Sequence, residues 1–248
     1  MASYNYKSGK KRIVEILNNK LEVFEKDKLP KENDFTFDNA YESWITSIFV
    51  DIRQSSELFS NEDKEEMSKI IRSFTSEVIE ILRLEDNLRE IGIRGDCVYA
   101  IYTTQYQFDI YTILDLSFQV NTFMIMLNNL LSEKGFQKIY VGIGLSTAKE
   151  LVVKAGRKGT GINNMVWIGE AVTKASNLSS LGNKNGYRSI VLSSLTYSNS
   201  IDILVKRSGE KAKKWFTEHY DYTYKTHYDA NIIKTDFNEW IEGGMKDE

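Results

Sequence analysis

Residues 48–56 read IFVDIRQSS, and residues 91–100 read IGIRGDCVYA. In the first stretch an apolar run that starts at Trp44 is typical of a strand, and it ends in Asp51, which small polar residues follow. In the second stretch Asp96 lies at a Gly-Asp turn between two apolar segments, which predicts a hairpin. Two carboxylates held in this way can bind two Mg²⁺ or Mn²⁺ ions, which polarise a triphosphate and activate a hydroxyl.

Hydrophobic periodicity predicts the elements around these two aspartates. Gly142 and Gly144 alternate with apolar residues in one strand, so another backbone can approach closely on their face. The remaining predicted elements are an N-terminal helix over residues 8–27, a polar linker over 28–39, a helix capped by Ser60, hairpin strands over 88–93 and 98–102, a buried helix over 108–131, a strand over 138–146, a basic glycine-rich loop over 154–164, a helix over 169–181 and a strand over 188–192.

The order β-α-β-β-α-β, followed by a further helix and strand, predicts an α+β fold. Its expected form is a ferredoxin-like antiparallel sheet with helices on one side. We expect three parts: a helical extension and linker over residues 1–40, a catalytic domain over 41–205, and a C-terminal extension over 206–248. The last part alternates charged and aromatic residues, and we expect strands and a closing helix that complete the sheet.

Composition narrows the functional classes. The chain has 248 residues, 42% of them hydrophobic, which is typical of an ordered globular protein. A net charge of −3 gives no global electrostatic case for binding nucleic acid or an anionic membrane. The single cysteine, Cys97, excludes an internal disulfide and fits a reducing cytosol. The N-terminus lacks the apolar core of a signal peptide, and polar residues interrupt the apolar stretch 111–131, so we expect a cytoplasmic protein with no membrane span.

Residues 44–195 resemble the catalytic domain of class III nucleotide cyclases. Phe49-Val50-Asp51 matches the strand that carries the first metal ligand of that family, and Gly95-Asp96 matches the hairpin that carries the second. Residues 169–177, GEAVTKASN, match the helix that carries the transition-state residues. The resemblance implies that Asp51, Asp96 and the carbonyl of Ile52 bind two divalent cations, Mn²⁺ or Mg²⁺.

The chain departs from purine cyclases at four of these positions. Purine cyclases have a lysine and an Asp or Thr that hydrogen-bond to the purine, and this chain has Gly92 and Val166 at those positions. Neither residue can hydrogen-bond to a base through its side chain. The transition-state Asn falls at Thr173, and the transition-state Arg falls at Asn177. Nearby cations that can replace the arginine are Lys154, Arg157, Lys158 and Lys174.

Residues 156–172, GRKGTGINNMVWIGEAV, are closely similar to the pyrimidine cyclases of bacterial Pycsar antiphage systems. This resemblance implies that the enzyme makes cyclic UMP from UTP or cyclic CMP from CTP, with UTP favoured because more of the branch uses it. It also implies an effector protein that the cyclic nucleotide activates. A head-to-tail homodimer is implied as well, in which one subunit supplies the metal ligands and the other supplies the positions of Gly92, Val166, Thr173 and Asn177.

Other residues are candidates for binding the substrate. Ser55 and Ser56 follow Asp51 near the start of a helix, where backbone N–H groups can bind phosphate. Arg53 and Arg94 contact either phosphate or base, or they are surface arginines in salt bridges. Two further functional classes stay open: a purine cyclase with altered base contacts, and a cyclase-like domain that binds nucleotide without turnover. The loop Gly156–Gly161 lacks the ending of a P-loop.

Overall fold

The structure is a computed structural model that describes residues 3–55 and 63–246. The chain divides into a larger unit, residues 44–150 with 169–248, and a smaller unit, residues 1–43 with 151–168. Two 3₁₀ turns lie at Glu32–Asp34 and Glu210–Trp215. The helices and strands are α1 Tyr6–Asn18, β1 Glu22–Glu25, β2 Asn39–Ile52, α2 Lys64–Leu82, β3 Leu88–Arg94, β4 Cys97–Thr103, α3 Gln107–Glu133, β5 Val141–Gly156, β6 Asn163–Ile168, α4 Ala171–Ser179, β7 Ile190–Ser193, α5 Ser194–Ser208, β8 Phe216–Asp221, β9 Lys225–Ala230 and α6 Thr235–Glu242.

The larger unit contains a sheet with the strand order β3-β4-β2-β5-β7-β9-β8. β2, β4 and β3 pair antiparallel, and so do β7, β9 and β8, whereas β5 and β7 pair parallel. The strands β2, β3, β4 and β5, with the helices that connect them, form the ferredoxin-like arrangement predicted from the sequence. The strands and helix expected after residue 206 are present as β8, β9 and α6, and α5 is a helix that the sequence analysis did not identify.

Among the residues that the structure describes, α2 and α3 cover one face of this sheet. α2 buries a stripe spaced three and four residues apart, which includes Met67, Ile70, Phe74 and Val78, as its periodicity predicts. The stripe belongs to a core that also contains α3 and alternate residues of β2, β4 and β5. α2 begins at an N-cap aspartate, Asp63, whose carboxylate accepts from two backbone N–H groups of the first turn. Ser60, the predicted cap, lies outside the described residues.

α4 packs on the opposite face of the sheet. In β5, Val141, Ile143 and Leu145 point into the core with α2 and α3, so Gly142 and Gly144 point away from it. A Cβ atom on Gly142 would overlap the carbonyl oxygen of Ser179, and one on Gly144 would overlap that of Ala175. The predicted close approach of a backbone at these glycines is therefore confirmed. The sequence analysis predicted helices on one side of the sheet. α2 and α3 fit that prediction, whereas α4 lies on the other side.

α3 is long and apolar enough to cross a membrane by length and composition. However, 72% of its most apolar window is buried inside the structure. Its buried residues include Ile113, Leu114, Phe118 and Phe123, which belong to the core. α3 therefore has the surroundings of a core helix, as the sequence analysis predicted.

The smaller unit differs from the sequence-based expectations in three places. The predicted helix over 8–27 is wrong beyond Asn18, because Phe24 lies in β1, which pairs parallel with the start of β2. The predicted polar linker contains two buried apolar residues, Leu29 and Phe35, and Phe35 packs edge-on against Tyr41. The predicted loop over 154–164 is shorter, since its two ends extend β5 and β6, and the connection is 157–162.

Candidate active site

Asp51 and Asp96 meet at one end of the β2–β4 pair. Asp51 stands opposite Cys97 in the register of these strands, so the preceding residue, Asp96, lies beside it in the β3–β4 turn. Gly95 has a φ of +65°, a left-handed conformation that suits glycine and lets the turn close tightly. The backbone N–H of Ile52 donates to the carbonyl oxygen of Asp96 at 3.5 Å. The two predicted carboxylates are therefore brought together, with the predicted carbonyl ligand, that of Ile52, next to Asp51 in the chain.

Arg53 is the ion-pair partner of Asp51. Its Nη2 contacts the Asp51 carboxylate, and its Nη1 donates to the carbonyl oxygen of Ser180 at 2.8 Å. The arginine side chain is 12% exposed and the aspartate side chain 28%. Arg53 thus links the end of β2 to the C-terminal end of α4. Its predicted contact with phosphate or base stays a prediction.

The electrostatics of this end of the sheet favour a bound cation. Burial raises the pKa of Asp51, the neighbouring Asp96 carboxylate raises it further, and Arg53 opposes both. Burial, together with the same two carboxylates, raises the pKa of the Cys97 thiol to about 12, so this thiol stays protonated at neutral pH. Two carboxylates and a carbonyl are hard oxygen donors of the kind that Mg²⁺ and Mn²⁺ prefer. In the described ranges, no group of three or more His, Cys, Asp or Glu residues could hold a metal ion.

α4 carries the residues that the sequence analysis placed in the transition state. Ala175 and Leu178 are buried, whereas Thr173, Ser176 and Asn177 are exposed. Thr173 and Asn177 are four residues apart and share one face of the helix. This face is polar and open in the single chain. Lys174 lies beside it and is half-buried.

Gly92 is covered by an aromatic residue that the sequence analysis missed. A Cβ atom at Gly92 would lie 2.8 Å from Cζ and Oη of Tyr99, its partner in the β3–β4 register. Tyr99 also stacks on Phe49 of β2, with ring centroids 5.3 Å apart, and its hydroxyl donates to Glu90 Oε1 at 2.8 Å. The signal that could have identified it is the register, which places Phe49, Tyr99 and Gly92 side by side across three strands.

The remaining candidates lie on several different elements. Arg94 is exposed on β3, opposite Cys97, and Ser55 is half-buried just after β2. Ser56 lies outside the described residues. Arg157 and Lys158 are exposed in the loop between β5 and β6, where Arg157 N–H donates to the Ile162 carbonyl at 2.8 Å. Val166 is 42% exposed on β6, opposite Val153. Lys154 Nζ donates to the carbonyl oxygen of Phe35 at 3.3 Å, a contact within the smaller unit.

The fold and the paired carboxylates together define a nucleotide cyclase catalytic domain. The family described as the adenylate and guanylate cyclase catalytic domain matches residues 38–212, and the chain belongs to this family. The adenylyl cyclase CyaB from P. aeruginosa shares the fold: its crystal structure superposes with a TM-score of 0.62 at 20% identity, covering 79% of this chain and 98% of that one.

Two curated relatives narrow the comparison within the family. A uridylate cyclase from Treponema porcinum is 53% identical over 98% of this chain and 83% of its own length. A uridylate cyclase from Gulbenkiania mobilis is 30% identical over 97% of this chain and 96% of its own length. Both matches span the two units of the structure, and both are consistent with the pyrimidine branch that residues 156–172 resemble.

Proposed function

We propose that this protein is a uridylate cyclase, which converts UTP to 3′,5′-cyclic UMP and pyrophosphate. The observation that carries the proposal is the identity of 53% with a uridylate cyclase over nearly the whole chain. The adjoining carboxylates of Asp51 and Asp96 support it, because a domain that had lost catalysis would have no need to keep both. A cytidylate cyclase is the second candidate, since CTP differs from UTP at one edge of the base.

The metal ligands would be Asp51, Asp96 and the carbonyl of Ile52. Two divalent cations bound there, Mg²⁺ or Mn²⁺, would supply positive charge that neutralises the triphosphate and lowers the pKa of the ribose 3′-hydroxyl. The reaction joins the 3′-oxygen to the α-phosphorus in line, breaks the bond from that phosphorus to the pyrophosphate, and releases the hydroxyl proton.

The chain's own residues would bind and orient the triphosphate. Thr173 and Asn177 would donate neutral hydrogen bonds to the phosphate on which charge develops, and Lys174 would add positive charge beside them. Ser55, Ser56 and the backbone N–H groups after Asp51 would bind phosphate beside the metal ligands. Arg157 and Lys158 would close over the triphosphate from their glycine-rich loop, whose exposure leaves both cations accessible.

The preference for a pyrimidine would follow from the absence of purine-reading side chains. Gly92 and Val166 offer no side-chain donor or acceptor, and Tyr99 fills the space beside Gly92. A purine would leave its hydrogen-bonding edge unpaired against these groups, which discriminates strongly. Arg94, the last residue of β3 and directly before the turn, would contact the base or a phosphate.

The proposed working form is a head-to-tail homodimer in the cytoplasm. The polar face of α4 supports it, because Thr173 and Asn177 are exposed in the single chain and would meet the carboxylates of a second subunit. The cyclic nucleotide would activate an effector protein as part of antiphage defence. This role rests on the resemblance of residues 156–172.

A product assay tests the proposal. The protein with Mn²⁺ is incubated separately with UTP, CTP, ATP and GTP, and the products are identified by mass spectrometry. We expect cyclic UMP, which Asp51→Asn and Asp96→Asn abolish and Asp202→Asn, an exposed control on α5, does not. Cyclic CMP alone would favour the second candidate, a cyclic purine would overturn the reading of Gly92 and Val166, and nucleotide binding without turnover would indicate a non-catalytic domain.

A further inference from the structure

Glu150 is a carboxylate buried beside α4 that the proposed mechanism does not use. It lies on β5, and only 1% of its surface is exposed. Its Oε1 accepts from the backbone N–H of Ala171, the first residue of α4, at 2.5 Å. Burial raises the pKa of Glu150, and the N–H groups of Ala171 and Val172 oppose that rise. When it is ionised, this carboxylate faces the positive end of the helix dipole, where a negative charge is stabilised.

This contact replaces the ordinary cap of the helix. Glu170 occupies the N-cap position of α4, but its side chain makes no capping hydrogen bond. The capping group instead comes from another element, 21 residues earlier in the chain. A local cap stabilises a helix wherever the helix lies, whereas a cap donated by a strand fixes the helix to that strand.

Gly169 supplies the room that Glu150 needs. A Cβ atom at Gly169 would lie 2.7 Å from Glu150 Oε1 and 2.8 Å from its Cδ. Any side chain at position 169 would therefore displace the carboxylate from the helix. The glycine that opens the motif over residues 169–177 thus has a physical reason in this chain.

The C-terminal end of α4 is attached as well. Arg53 donates to the carbonyl oxygen of Ser180, the C-cap residue, and also pairs with Asp51. Between the two ends the helix lies directly on Gly142 and Gly144. Loss of the N-terminal attachment would leave the first turn, which carries Thr173, held by the packing of the helix on β5 and by the Arg53 contact at its far end.

We propose that Glu150 is a positioning residue, which fixes the first turn of α4 to β5 and so places Thr173 and Lys174 for the reaction. The inference rests on the proposed function, since it assigns these residues a role in turnover of UTP. Glu150 itself touches no reacting atom. Its effect passes through its hydrogen bond with the backbone N–H of Ala171, in the first turn of α4.

Three variants test the proposal against a matched control. Glu150→Ala removes the acceptor, Glu150→Gln keeps an acceptor oxygen without the charge, and Gly169→Ala pushes the carboxylate away. Glu170→Gln changes the same residue type at the same helix end, but at an exposed side chain that makes no capping bond. For Glu150→Ala we expect kcat for cyclic UMP formation to fall about 10- to 100-fold with KM changed less than threefold, as for a small misplacement of catalytic groups. Glu150→Gln should lose less, and Glu170→Gln should stay within twofold.

Hydrogen exchange supplies a readout that does not depend on turnover. We expect the amides of Ala171 and Val172 to exchange about fivefold faster or more in Glu150→Ala, and no faster in Glu170→Gln. If the wild-type protein made no cyclic UMP, the proposed function would fail, but this exchange pattern would still report whether Glu150 holds the helix.

The double variant Glu150→Ala/Gly169→Ala tests whether the two changes act on the same contact. Because Glu150→Ala and Gly169→Ala disrupt the same contact, their combination should be no worse than the more damaging single change. The proposal is overturned if kcat of Glu150→Ala stays within twofold of wild type, if exchange at Ala171 and Val172 is unchanged, or if Glu170→Gln loses as much as Glu150→Ala. If Glu150→Ala does not fold, Glu150→Gln and Gly169→Ala decide the question by the same criteria.

Discussion

Two Asp–Arg pairs in the larger unit have the same chemistry and different surroundings. At the end of β2, Asp51 pairs with Arg53, is 28% exposed and has a raised pKa. Between β7 and β9, Asp229 pairs with Arg188, is 3% exposed and has a lowered pKa. A carboxylate whose oxygens can still accept further contacts can bind a ligand. A carboxylate whose oxygens are fully engaged in hydrogen bonds stabilises the fold instead.

The Arg188–Asp229 pair is saturated by hydrogen bonds. Arg188 donates to Asp229 from Nε at 2.9 Å, from Nη2 at 2.5 Å and from its backbone N–H at 2.9 Å. The same guanidinium donates to the carbonyl of Trp215 at 2.9 Å and to Thr217 Oγ1 at 2.6 Å. Burial alone would raise the pKa of Asp229, but these bonds and the Arg188 charge hold it below its usual range. This pair ties β7, β9 and β8 together, far along the sheet order from β2.

The largest expected effect is on activity and comes from the unsaturated pair. Asp51→Asn should lower kcat by about 10²- to 10³-fold or more, because it removes a metal ligand that the mechanism needs. The free energy of unfolding should change by less than about 1 kcal/mol, because relief of the repulsion between Asp51 and Asp96 offsets the loss of the Arg53 pair. Product formation and urea unfolding measure the two quantities. Normal turnover would contradict the assignment of Asp51.

The saturated pair should show the opposite pattern. Asp229→Asn should lower the free energy of unfolding by about 2 kcal/mol, somewhat less than the roughly 3–5 kcal/mol typical of a fully buried pair, because Arg188 is partly exposed. Activity per folded molecule should stay within about twofold. Urea titration gives the stability, and initial rates at saturating UTP give the activity. A tenfold loss of kcat with normal stability would make the two pairs alike and break the comparison.

The pH dependence of stability should sharpen the comparison. Because the pKa of Asp229 is lowered on folding, the folded state binds fewer protons than the unfolded chain in acid. The contribution of Asp229 to the free energy of unfolding is fully present above the pKa of the carboxyl in the unfolded chain, about 3.9. It is lost as pH falls through the pKa of the carboxyl in the folded protein. We expect the stability difference between wild type and Asp229→Asn to narrow below about pH 4. A difference that stays constant from pH 7 to pH 3 would count against the ion pair.

The smallest expected effect concerns one partner of the saturated pair. Thr217→Val removes the hydroxyl that accepts from Arg188 and keeps the size and β-branching of the side chain. The variant should cost about 1 kcal/mol of stability, the typical net value of one hydrogen bond. Thermal unfolding measures it, with Thr223→Val, an exposed change in the turn between β8 and β9, as the control. Equal effects of the two changes would show that Thr217 adds nothing to the pair.

The sequence predicted the parts of the fold that local periodicity encodes. β2 and the strands of the β3–β4 hairpin are short apolar runs bounded by turn residues, whereas the apolar stretch of α3 is too long for a strand. Asp51 and Asp96 were found because they stand at the end of β2 and in the β3–β4 turn. Phe24 was misplaced because its spacing also fits a helical stripe, and pairing with β2 decided between the two. β6 was missed because the glycines and basic residues of this segment are typical of a loop. Its strand character depends on pairing with the C-terminal end of β5.

Contacts between distant residues were beyond a single sequence. Arg188 and Asp229 are 41 residues apart, and Glu150 meets Ala171 across 21 residues. Nothing local marks either pair, because an isolated charged residue is usually solvated. Tyr99 was missed for the same reason, since its ring lies over Gly92 only when the strands are paired in register.

The two glycines of β5 have a consequence for recombining this domain with its relatives. Since any side chain at Gly142 or Gly144 would overlap the backbone of α4, the close fit of the helix on its strand depends on both glycines. Strand and helix therefore behave as one inherited block. In a chimaera that exchanges α4 alone, the new helix would pack on a strand that it does not match. Exchange of residues 141–181 together would keep the contact between strand and helix intact.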